Sequence, residues 1–254
     1  MNQVTMTRVD HVAVVEFAGG PGNYFTVELL NHIADRLEQA ADEGARAAVL
    51  TSPGRHFCAG ADFSSIGSSV EERGEVADRT YAAGARIFKQ PLPVVAAVQG
   101  AAIGGGLGLA CAADFRVVTP ETRLEANFTR LGFHPGFGLS VVLPRLVGPQ
   151  KALMLLMEGR RVDGREAVGL GLADQLADAD GLIDAAIDLA VRLAARAPLA
   201  VQAVRATLRR DLIRDVEQAM TWEAAEQRRL WATEDANIGL EAARRRETPN
   251  FAGR

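Results

Sequence analysis

Two short apolar segments, each running straight into a glycine-rich turn and then into a helix, limit what this chain can fold into more than any other feature. The first is "AAVLT", residues 47–51, which leads to "FCAGAD"; the second is "PVVAAV", residues 93–98, which leads to "AIGGGLG". Unbroken apolar runs of this length suit strands buried on both faces, and strands that alternate with helices argue an α/β layer. The flanks repeat the pattern. Val12 to Phe17 reads as a strand broken by "AGGPGN", after which residues 27–43 set Leu29, Leu30, Ile33, Leu37 and Ala40 at helical spacing. Residues 70–89 predict a second helix, and "FRVVT" returns to strand. Past Pro135, residues 139–157 predict two short helices divided by "VGPQ", and "DGREAVGLGLADQL" a small helix, a glycine stop and a strand. From Asp180 the chain is almost wholly helical, with a new segment at Pro198. A boundary near residue 196 separates a core, 1–195, from a helical region, 196–254, in which Trp222 and Trp231 suit packing or subunit contact.

The glycine turns carry the chemistry. The first amides of a helix have no intrahelical acceptor and sit at the positive end of its dipole, so a strand–turn–helix unit offers N–H groups to an anionic oxygen. Glycine lets a ligand approach that backbone closely. Ala61 and Gly105, one from each turn, would form a two-donor oxyanion hole if their N–H groups met at one point. Competing motifs fail. "GGGLGLAC" places Gly104 and Gly106 before Leu109 and so lacks G-x-G-x-x-G. There is no phosphate-binding G-x-x-x-x-G-K-[ST], and Ser65 and Ser140 lack the glycines of a nucleophile elbow. With 28 Lys and Arg against 32 Asp and Glu, the net charge of −4 gives no overall attraction to nucleic acid or anionic membrane. Cys58 and Cys111 are too few and too isolated for a disulfide framework or a metal site, which fits a cytoplasmic protein. No signal core and no apolar run of about 20 residues is present, so no membrane association is expected.

Four segments together resemble the enoyl-CoA hydratase/isomerase (crotonase) superfamily. "HFCAGADF" is similar to its F-x-A-G-A-D turn, and "AAVQGAAIGGGLGLACAADFRV" to its glycine-triplet segment. "LGFHPGFGLSVVLPRLVG" resembles the L-G-x-x-P-G-x-G stretch, and "EDANIGLEAARRRETPNF" the closing segment. The resemblance covers nearly the whole chain. It implies an α/β fold, a ββα spiral with a C-terminal helical trimerisation region, assembled as a homotrimer or homohexamer. It implies a lyase or isomerase acting on an acyl-CoA in fatty acid metabolism, with coenzyme A part of the substrate and no permanently bound cofactor. By position, Ala61 and Gly105 match the oxyanion amides. Asn23, Ala59, Asp62 and Phe63 match segments bordering the coenzyme, and Arg55, residues 244–246 and Phe251 are further candidates for contacting it.

The resemblance breaks at the carboxylates. The two glutamates of the family's hydratases fall on Gly108 and Phe128, and an alternative acid position falls on Gly136. Each missing acid/base group should cost about 10²- to 10⁴-fold in hydration. His134, because an imidazole can give or take a proton at neutral pH, and Glu125, on the strand leading into its loop, are the candidates to move protons instead. Two other readings remain: a non-catalytic acyl-CoA-binding protein, and a diketone hydrolase on the same fold that takes no coenzyme A.

Overall fold

Alternating burial along Val12–Ala18 sets the first hairpin: β1 (Gln3–Val9) pairs antiparallel with β2 (Val12–Ala18), Val9 opposite Val12, and Asp10 turns the chain at φ 51°. The computed structural model describes residues 3–62 and 69–254. After β2 come α1 (Val27–Asp42), β3 (Ala47–Thr51), α2 (Val70–Phe88) and β4 (Val94–Val98). The Thr26 side chain caps α1 by accepting from Leu29 N–H, and Ser69 with Glu72 forms a capping box on α2. Next are β5 (Ala101–Ile103), α3 (Gly105–Ala112), β6 (Phe115–Val118), β7 (Arg123–Glu125), α4 (Leu139–Val147) and α5 (Pro149–Glu158). The chain continues through β8 (Arg161–Asp163), α6 (Gly164–Leu170), β9 (Gln175–Leu176), α7 (Leu182–Ala194), α8 (Pro198–Trp231) and α9 (Glu234–Arg245).

The main sheet runs β1-β2-β3-β4-β6-β9 and is parallel from β2 onward. Every residue of β3 and β4 is buried, which is why neither alternates in polarity. One face packs on α1 and α2 in the main core; the other meets α7 through Val49, Val95, Ala97, Ala186 and Ala190. Among the described residues no helix is long and apolar enough to cross a membrane.

A second sheet, β5-β7-β8, is an addition to the sequence reading, which left residues 101–103 in a turn. Gly100 makes it possible. At φ 58° it bends the chain out of β4, and a Cβ there would strike the Arg55 carbonyl, so only glycine can send the strand across the turn at 55–58. α8 starts at Pro198, and Val216, Met220, Ala224 and Trp231 from its second half join the main core.

Candidate active site

Two isolated parallel bridges shape the first glycine turn. Cys58 pairs with Ala102 and Ala61 with Phe25. In the second bridge Phe25 N–H donates to the Gly60 carbonyl at 3.0 Å and Asp62 N–H to the Phe25 carbonyl at 3.0 Å. That pattern turns the N–H of Ala61 to the opposite side, where it meets no acceptor among the described residues. The second turn presents α3. Gly104 N–H is used by the Glu125 carbonyl at 2.8 Å, and Gly105, the first residue of the helix, has no intrahelical acceptor for its own. The close approach of the two turns rests on Gly106, where a Cβ would collide with the Cys58 carbonyl.

Ala61 and Gly105 line one cavity. Phe25, Tyr81, Phe128, Phe133, Phe137 and Trp231 supply its aromatic lining. The three places where an acid was sought are filled. A Cβ on Gly108 would lie 2.6 Å from the Phe137 Cβ, so that position is closed by a phenylalanine. Phe128 is buried, edge-on to Phe133 at 5.9 Å, and Phe133 in turn is edge-on to Trp231 at 5.8 Å. At Gly136 the absent side chain leaves room for the Tyr81 hydroxyl and the Gln227 amide. Tyr81 donates to Gln227 Oε1 at 2.7 Å, and Gln227 Nε2 donates to the His134 carbonyl at 2.8 Å. Burial, reinforced by the nearby Glu223 charge, pushes the Tyr81 phenol well above its ordinary pKa.

Glu223 holds the wall behind this group. Its fully buried carboxylate accepts from Gly138 N–H at 2.8 Å, Ser140 N–H at 3.1 Å and Ser140 Oγ at 2.5 Å. Burial raises its pKa above the ordinary 4.5 in spite of these bonds. Its contribution to stability is therefore fully present below the unfolded-state pKa and shrinks as the pH rises through the folded value. Glu223→Ala strips two amides of their acceptor and is expected to cost about 1–3 kcal/mol. The gap from wild type should narrow between mildly acidic and neutral pH in urea unfolding.

The other expected site residues divide. Ala59 lines the cavity and also a neighbouring cleft, with Ile103 and Asn127 shared between the two. Glu125 faces that cleft, not the cavity. Its buried carboxylate accepts from Arg130 at 2.7 Å and Arg161 at 3.1 Å and serves as their counterion. His134 also fails to reach the cavity: Nδ1 lies 2.6 Å from the Pro135 carbonyl oxygen, and it is its backbone that serves, by anchoring Gln227. Asn23 is buried and its side chain ties Gly19 N–H to the Phe57 carbonyl, bracing the first loop. Arg55 is exposed and precedes His56 of the cleft in the chain. Burial chiefly, then the Arg123 and Arg55 charges, lowers the pKa of His56 in that cleft. Arg246 of the triple-arginine run lines it too, whereas Phe251 sits in a separate depression beside Thr129 and Arg229. Asp62 follows directly on Ala61, and Phe63 lies outside the described residues.

Tyr81, Gln227 and Phe137 were not anticipated as site residues. Tyr81 shares a buried stripe of α2 with Ala77 and Gly84, and a polar-tipped aromatic on such a stripe was the only available sign. Trp231, expected to serve packing, closes the cavity, while Trp222 is 65% exposed.

Comparisons with known proteins agree with this architecture. The family described as enoyl-CoA hydratase/isomerase matches residues 7–254. A probable enoyl-CoA hydratase of Bacillus subtilis (strain 168) is 33% identical over 257 residues, covering 100% of both chains. A crotonyl-CoA hydratase of Syntrophomonas wolfei is 30% identical over 90% of this chain and 89% of its own. The crystal structure of an enoyl-CoA hydratase/isomerase from Pseudoalteromonas atlantica T6c superposes with a TM-score of 0.85 at 28% identity, covering 98% of this chain and 99% of that one. With its two glycine turns and a family match over nearly its full length, the chain belongs to the enoyl-CoA hydratase/isomerase family of acyl-CoA-processing enzymes.

Proposed function

We propose that the protein stabilises a thioester enolate between the amides of Ala61 and Gly105, without the two carboxylates of a hydratase. One observation carries this reading: two main-chain N–H groups from turns far apart in sequence, neither with an acceptor among the described residues, belong to the wall of one aromatic cavity. Each such donor is worth about 3–4 kcal/mol in a transition state that places charge on the carbonyl oxygen. The cleft beside the cavity, with His56, Arg123, Arg161 and Arg246, suits the phosphates of coenzyme A, which remains part of the substrate. Exposed Leu199, Val204 and Leu208 on α8 suit association as a homotrimer or homohexamer, which light scattering would measure.

Calorimetry with butyryl-CoA and a crotonyl-CoA hydration assay test the proposal. Binding is expected, with hydration at least about 10²-fold slower than a two-carboxylate enzyme achieves. Absence of coenzyme A binding would favour a diketone hydrolase, and binding without turnover on a broad thioester panel a non-catalytic protein.

A further inference from the structure

Building on the enolate reading, we infer that the substrate is a 2-carboxyacyl thioester whose enolate forms by loss of carbon dioxide, with Tyr81 supplying the proton that completes the reaction. The argument starts from what the cavity lacks. An enolate can arise by removing an α-proton, by adding a nucleophile to an enoyl group, or by breaking a bond at the α-carbon. The first two routes need a proton acceptor. Among the described residues of the cavity wall, only Arg73 and Tyr81 are ionisable. A guanidinium keeps its proton at any physiological pH, and a phenol whose pKa is pushed up by burial keeps its own at neutrality. Residues 63–68, "FSSIGS", contain no acid, imidazole or amine. The positions that could have supplied a carboxylate are closed by Phe137, by Phe128, and by the Tyr81–Gln227 pair facing Gly136.

Bond cleavage needs no base. In a 2-carboxyacyl thioester the bond between the α-carbon and the carboxylate breaks heterolytically, carbon dioxide departs, and the electron pair passes into the enolate. The aromatic wall favours this step, because a carboxylate taken from water into an apolar site loses the solvation that resists its conversion to neutral carbon dioxide. The enolate oxygen then rests on the Ala61 and Gly105 amides. Tyr81 is the neutral proton donor left in the wall: its hydrogen swings from Gln227 Oε1 to the α-carbon, the O–H bond breaks as the C–H bond forms, and water returns a proton to the phenolate. A phenol is a weaker acid than a carboxylic acid but far stronger than the α-carbon it protonates.

The test uses the full chain with 2-methylmalonyl-CoA in deuterated water, following carbon dioxide release and the configuration of the 2-deuteriopropanoyl-CoA formed. Wild type is expected to release carbon dioxide and deliver deuterium to one face. Tyr81→Phe keeps the ring and removes the hydroxyl. It is expected to lower kcat about 10²-fold with KM within about threefold, and to scramble the product configuration as solvent replaces the donor. A racemic product from wild type overturns the inference without recourse to any variant. So does a Tyr81→Phe protein that folds, by circular dichroism, and keeps both rate and configuration. Butyryl-CoA binding without decarboxylation sinks this inference and spares the enolate reading; failure to bind butyryl-CoA sinks both.

Discussion

Ala61→Pro is expected to reduce kcat by about 10²- to 10³-fold on a thioester that the protein turns over, with a much smaller change in KM. Proline removes the N–H and leaves the donors of the Phe25–Ala61 bridge in place, because that bridge relies on the amides of Phe25 and Asp62; circular dichroism checks that the fold accepts its fixed φ. A donor aimed at charge that develops only in the transition state lowers kcat when lost and leaves ground-state binding nearly untouched. Ala61→Gly keeps the N–H and should stay within a fewfold of wild type. Steady-state kinetics on the three proteins decide the matter: equal kcat for the alanine and proline forms would show that this amide touches no developing charge.

The second large effect is on stability. Asp114→Ala is expected to destabilise the fold by about 3–5 kcal/mol, because it leaves two buried guanidinium groups without their counterion. Asp114 accepts from Arg205 at 2.9 Å, from Arg209 at 2.6 Å and from Val94 N–H at 2.8 Å, and both arginines are only 8% exposed. Burial already lowers the pKa of Arg209 despite the aspartate beside it. This triad fastens the first half of α8 to the start of β4 and β6, so its loss should loosen the whole tail. Urea unfolding checks the figure, and a change below about 1 kcal/mol would show that other groups neutralise the arginines.

Much of this architecture could be read in the residues. The buried strands Ala47–Thr51 and Val94–Val98 announce themselves because a strand covered on both faces has no polar side to hide, and helical spacing from Leu29 to Ala40 marks α1 equally well. Of the three-residue strands only β7, which carries Glu125, was legible; β5 and β8 were not, because three residues carry no periodicity and what forms them is the bend at Gly100 and pairing across distant segments. The same division holds at the site. That Ala61 and Gly105 lie in glycine turns was legible because such turns are a local property of the sequence, and the fold sets both beside one cavity. Tyr81 and Gln227 were not, since 146 positions separate them and only the docking of α8 on α2 brings phenol and amide together. His134 drew notice for a related reason: a lone imidazole in a glycine-rich loop stands out in a sequence, whereas in the structure its carbonyl accepts from Gln227.

The placement of Gln227 and Trp231 at the far end of a 34-residue helix carries a consequence for how the enzyme comes into being. Synthesis proceeds from the amino end, so both glycine turns and Phe137 leave the ribosome well before the last wall of the chamber exists. A nascent chain therefore carries both turns while the chamber still stands open to solvent. The chamber is complete only once the last helices settle on the parts made before them.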